Sequence, residues 1–157
     1  MGMQGTLPKA RRHERVTLLR VSYWICAIFE LMALIPMLSP TLFGKVMGIP
    51  DFHPGSDYRY AMGIAAVFTL GWILLLIWAD RRPVERRGVM LLTIVPIFAG
   101  NMLAGVYAAS SGFIATGMMI PSWIVQAIII VLFAFSYREA GRIVKSNEPW
   151  STGNRGS

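Results

Sequence analysis

Four long apolar runs, separated by clusters of charge, constrain this 157-residue chain more than any other feature. They extend from about Val16 to Leu38, Tyr60 to Ala79, Val89 to Ala109 and Ile120 to Tyr137. A helix needs roughly 20 apolar residues to cross about 30 Å of hydrocarbon, whereas a membrane barrel would alternate apolar and polar positions over shorter strands. The runs are uniformly apolar. The predicted fold is therefore all-α, a polytopic four-transmembrane-helix bundle. Composition agrees, since 15% of the residues are charged where a soluble domain carries about 25%. The basic stretch Met1 to Arg15 precedes a run too long for a signal-peptide core and without a small-residue cleavage site, so the first span is expected to stay as an anchor.

Orientation follows from Lys and Arg, which concentrate in cytoplasmic flanks. Lys9, Arg11, Arg12, Arg15 and Arg20 lie before or at the start of span one; Arg81, Arg82, Arg86 and Arg87 join spans two and three; Arg138, Arg142, Lys145 and Arg155 follow span four. Only Lys45 and Arg59 fall on the other side. Both termini and the Asp80 to Arg87 loop are expected in the cytoplasm, in a cell (plasma or inner) membrane. Topology accounts for these basic patches, so no nucleic acid is expected as partner; membrane lipids are, with anionic head groups suited to the same residues. Residues 1–15 read as a basic tail, 16–145 as the membrane domain with Arg138 to Lys145 extending the last helix, and 146–157 as a disordered tail. The two halves differ in loop length and polar content, which argues against an inverted-repeat transporter.

The chemistry-bearing residues are few. A single cysteine, Cys26, excludes a disulfide framework, a Cys-x-x-Cys pair and a thiolate zinc site. His13 and His53 flank the first span on opposite sides, which removes the simplest bis-histidine haem. With no serine–histidine set in a span, no aspartate pair and no His-Glu-x-x-His motif, an enzyme is disfavoured, and no metal or cofactor is expected.

Ionisable and amide side chains inside a span need an explanation. Glu30 is the clearest, on a stripe with Ser22 and Cys26 at four-residue spacing. Arg59 opens the second span from the far side, and its guanidinium is expected to reach Glu30 and hold it ionised. Asn101 in the third span and Gln126 in the fourth fall in the same half of the bundle. Two readings stay open for these four residues: an interhelical network that only fixes packing, or a site for a proton, cation or small polar ligand. Tyr23 and Trp72 are candidate walls of an interior cavity. Gly63, Val67 and Gly71, and Gly100, Ala104 and Ala108, form single small-residue faces expected to pack helices closely. Pro96 should kink the third span. Between spans one and two, Leu42, Phe43, Val46, Met47 and Ile49 predict a short interfacial helix bounded by Pro40 and Pro50.

That junction, with Leu42-Phe43, Gly48-Ile49-Pro50, Tyr58-Arg59-Tyr60 and Arg59-x-x-x-Gly63, resembles the one in the small four-helix membrane proteins of the DoxX-like group. The resemblance implies a four-helix bundle with an outer interfacial segment and an accessory or unassigned membrane role. Three functions are weighed: a non-enzymatic accessory or scaffold subunit, in a homo-oligomer or larger membrane complex; a homo-oligomeric small transporter or channel that exchanges a proton or cation at Glu30; and a protein that binds a lipid-soluble ligand such as a quinone.

Overall fold

The computed structural model describes residues 9–49 and 51–147, with side chains between 13 and 144. The expected tails at 1–8 and 148–157 lie outside the described residues. Helix α1 spans Lys9–Leu38, α2 Pro40–Met47 and α3 Ser56–Asp80. The third crossing is composite: α4 (Gly88–Leu92), a π-helical turn (Thr93–Ala99) and α5 (Gly100–Ser110). Helix α6 spans Thr116–Asn147. No strand occurs among the described residues. Four helices are long and apolar enough to cross a membrane, His13–Leu38, Ser56–Asp80, Gly88–Ser110 and Thr116–Val144, so the chain is an all-α, multi-pass membrane protein. Lys9 to Arg15, expected within the tail, are the first turns of α1.

Helix α1 is the centre of the bundle. It packs most extensively on α3 and next on α6, while the third crossing lies against α6 and touches α1 through the rings of Phe29 and Phe98, 6.2 Å apart. Leu19, Tyr23, Cys26, Leu76, Met90, Phe98 and Phe133 are buried between them. Large apolar side chains such as Met32, Phe68, Leu103 and Val131 stay exposed on the outside, as a lipid-facing surface requires.

The end at which α1 begins and α6 ends is fastened by polar contacts. Arg15 and Arg142 both pair with Glu139, the first at 3.0 Å. Arg20 lies 3.9 Å from Asp80 at the close of α3. The Tyr23 hydroxyl donates to the Arg86 carbonyl at 3.0 Å. Charged groups of this kind belong at the aqueous boundary, which places that boundary near Arg20.

At the opposite end α2 forms where the sequence predicted a short helix. Ser39 is its N-cap, with its hydroxyl accepting from the Leu42 N–H at 3.4 Å, and Pro40 occupies the first turn, where its missing N–H costs nothing. Gly48 ends the helix at φ 67°, a conformation that glycine adopts without strain.

The third crossing departs from a straight α-helix at Pro96. Val89, Met90 and Thr93 are buried, and the next buried side chain is Phe98, five residues beyond Thr93; Met102, Gly105 and Ala109 then continue the inward face at ordinary helical spacing. A five-residue step is the repeat of a π turn. Proline supplies no N–H for an α-helical bond and crowds the carbonyl four residues earlier, and the widened turn relieves both. Pro96 thus lies within a change of helical phase.

Candidate functional site

Glu30 lies ten residues beyond Arg20 and eight before Leu38, about 15 Å and 12 Å at 1.5 Å per residue. It sits close to the mid-plane and is 6% exposed. Gln126 is ten residues from both Thr116 and Ser136 on α6, about 15 Å from either, and is also 6% exposed. Its side-chain N–H group donates to the Ser122 hydroxyl at 3.0 Å. Trp72 on α3 is half-buried about 12 Å from Asp80. One buried polar atom of each of these residues has no hydrogen-bond partner among the described residues: Glu30 Oε1, Gln126 Oε1 and Trp72 Nε1. Two acceptors and a donor are therefore left open within about one helical turn of depth.

Arg59 does not join them. Its side chain is exposed at the start of α3, and none of the ion pairs among the described residues links it to Glu30. The expected pairing rested on depth alone, whereas a guanidinium gains more by staying at the aqueous boundary than by descending into hydrocarbon. Asn101 is exposed as well. The phase change at Pro96 is the reason: an uninterrupted α-helix continuing from Thr93 would carry Ile97, Gly100, Asn101 and Ala104 toward the bundle, and the additional residue of the π turn rotates that side outward.

The glycines of the small-residue faces also lie outward, on α3 with no change of helical phase involved. A Cβ added at Gly63, Gly71 or Gly100 would meet nothing within 4 Å, so these glycines are not packed against a neighbouring helix of the chain as expected. Close packing occurs instead at Gly105, where an added Cβ would lie 2.8 Å from Trp123 Nε1.

Tyr23 is fully buried, edge-on to Phe133 with ring centroids 5.9 Å apart. With its hydroxyl bound to Arg86 it fastens the loop at 80–87, and neither it nor Trp72 lines either of the two clefts found. Two polar contacts had no counterpart among the sequence candidates. Ser22 gives its proton to the Leu18 carbonyl and accepts at 2.8 Å from Ser136 of α6, and Glu139 collects two arginines. Charge counting weighed only basic residues there. The acid on the α6 extension, three residues beyond Ser136 and three before Arg142, was the signal available.

Both clefts open at the α2 end. One, of about 490 Å³, is bordered by α2 and the loop after it. Its neighbour, of about 390 Å³, lies between the end of α1 and the start of α3. Phe52 lines both and packs on Phe43, Tyr58 and Phe113. Among the described residues no group of three or more His, Cys, Asp or Glu side chains is placed to hold a metal ion.

Comparison with known proteins finds no family model, no curated protein and no solved structure that matches the chain.

Proposed function

We propose that this chain is a non-enzymatic integral membrane protein, an accessory or scaffold subunit, and that it associates with a second copy of itself through α5. In this reading both termini and the 80–87 loop face the cytoplasm and α2 lies outside. The likeness of Pro40 to Gly63 to the DoxX-like junction points the same way.

The observation that carries the proposal is Asn101. It stands nine residues from Ser110, about 13 Å inside the crossing, exposed and with no hydrogen bond among the described residues. An amide facing lipid at that depth gains from a partner helix, typically by about 1 kcal/mol. Gly100 and Ala104 flank it on the exposed side and permit close approach. An amide both donates and accepts, so a two-fold axis that brings Asn101 against Asn101 satisfies both copies.

The test uses Ala104→Cys in a Cys26→Ser background, oxidised in native membranes. A disulfide-linked dimer that Asn101→Leu abolishes is expected, with Val67→Cys on the outer face of α3 giving none. Absence of the dimer, or a dimer indifferent to Asn101→Leu, overturns the proposal.

One observation favours a second reading, the homo-oligomeric transporter or channel: Glu30 is buried near the mid-plane with no counter-ion among the described residues. The expectation that Arg59 holds Glu30 ionised, which spoke against proton exchange, loses its basis. A proton flux into vesicles that Glu30→Gln eliminates while the protein stays folded would favour the transporter over the scaffold.

A further inference from the structure

Of the two Lys and Arg side chains at the α2 end, Arg59 is the one that borders the 390 Å³ cleft. Positive charge at this end is not what the topology rule supplies, so its place needs a separate account. We infer that this cleft binds an anionic phospholipid with a glycerol head group, taken from the adjoining leaflet.

The floor of the cleft is apolar and open to lipid. Leu38 is 68% exposed, Met62 is half-buried, and a Cβ on Gly63 would meet nothing within 4 Å. An acyl chain can lie along this surface and leave its head group at the level of Arg59. The rim is polar in a way that suits a phosphodiester. Arg59 is exposed and makes no ion pair among the described residues. Tyr58 lines the cleft, and its hydroxyl, buried just behind that surface, has no hydrogen-bond partner there either, so a small turn of the ring would offer it to a phosphate oxygen. Guanidinium and phenol are both donors, and phosphate oxygens are acceptors.

His53 contributes the opposite polarity. Its Nδ1–H donates to the Asp51 carbonyl at 2.9 Å, so in the neutral ring Nε2 accepts, which fits a head-group hydroxyl. The first turn of α3 has no side-chain cap on its N–H groups, and Asp57 in that turn offsets the positive potential they supply, which leaves Arg59 as the charge that selects an anion. Two carboxylates are near in sequence: Asp51 lines the neighbouring cleft and Asp57 lies in the first turn of α3, and neither pairs with Arg59. The cleft volume falls within the range of small-molecule sites, about 300 to 1,000 Å³. Phosphate is held by Arg59, the glycerol hydroxyls by His53, and the chains by the Leu38 and Gly63 surface; a choline head group keeps the phosphate but sets its own cation near Arg59 and has no hydroxyl for His53.

Native mass spectrometry of the full-length protein in a zwitterionic detergent, with phosphatidylglycerol or phosphatidylcholine of identical chains added, tests the site. One phosphatidylglycerol is expected to be retained with about a tenfold preference, equivalent to about 1.4 kcal/mol. Arg59→Gln should remove the preference. Gly63→Leu, which fills open space on a helix surface, should lower retention of both lipids while leaving helix content and melting temperature unchanged. Lys45→Gln should have no effect. Equal retention of the two lipids by the wild type, or an unchanged preference in Arg59→Gln, overturns the inference. Glycerol phosphate that competes as well as the lipid does would mean a soluble ligand and equally overturn it. If Gly63→Leu fails to fold, Arg59→Gln still decides, because the side chain it alters is exposed and unpaired.

Discussion

Glu30 and Glu139 are both buried acids, 6% and 5% exposed, and their surroundings differ in kind. Glu139 meets two guanidinium groups at the polar end of the bundle, whereas Glu30 meets none among the described residues. Double-mutant cycles separate the cases. Glu139→Gln combined with Arg15→Gln is expected to show a coupling of about 1–2 kcal/mol, since each single change strands a partly buried charge. Glu30→Gln combined with Arg59→Gln should be additive within about 0.5 kcal/mol, and Arg59→Gln alone should change stability by no more than about 0.5 kcal/mol. Reversible unfolding in detergent micelles measures both cycles. A substantial Glu30–Arg59 coupling would contradict the geometry described. Residue spacing along the sequence gives the depth of a side chain at 1.5 Å per residue. It says nothing of whether a long, charged side chain turns inward or toward water, and that is what separates the exposed Arg59 from the buried Glu30 and Gln126.

The elements show the same division between what periodicity reveals and what it hides. Crossing helices were legible because apolar length alone defines them, and α2 was legible from Pro40 and its apolar residues. The inward face of the third crossing was not, because a single additional residue at Pro96 shifts every later position by about 100°. Gly100, Asn101 and Ala104 had the right spacing for an inward face, and the π turn turned that face outward. Deleting Val95, an exposed residue within the turn, should restore α-helical phase and leave Phe98, Met102, Gly105 and Ala109 inward, because Phe98 then stands four residues beyond Thr93. The expected result is an Ala104→Cys cross-link that survives in a protein that still folds and inserts. Loss of the cross-link in the folded deletion variant would show that the additional residue is not what the π turn absorbs.

At the scale of the whole molecule, the distribution of charge and the packing of α1 act on different aspects of the same fold. α1 gathers α3 and α6 around itself, and Arg15, Arg20 and Tyr23 tie its first half to α6, the end of α3 and the 80–87 loop. This fixes one end of the bundle as a charged unit but does not say on which side of the membrane it stands. The proposed direction rests on the positive-inside rule. Reversing the molecule would require the short loop with Arg81, Arg82, Arg86 and Arg87 to cross the bilayer, and each arginine costs about 2.5–3.5 kcal/mol at the centre of a span. The α2 end carries only Lys45 and Arg59 and two exposed acids, Asp51 and Asp57, so its passage is the easier one. In a Cys26→Ser background, His53→Cys is therefore expected to react with a membrane-impermeant maleimide applied to intact cells. Glu85→Cys, exposed in the loop at the opposite end, should react only after the membrane is opened. The two positions lie on either side of α3, so they must exchange behaviour together if the molecule is inverted. Labelling of Glu85→Cys in intact cells, with His53→Cys protected, would reverse the orientation and move the lipid cleft to the cytoplasmic leaflet.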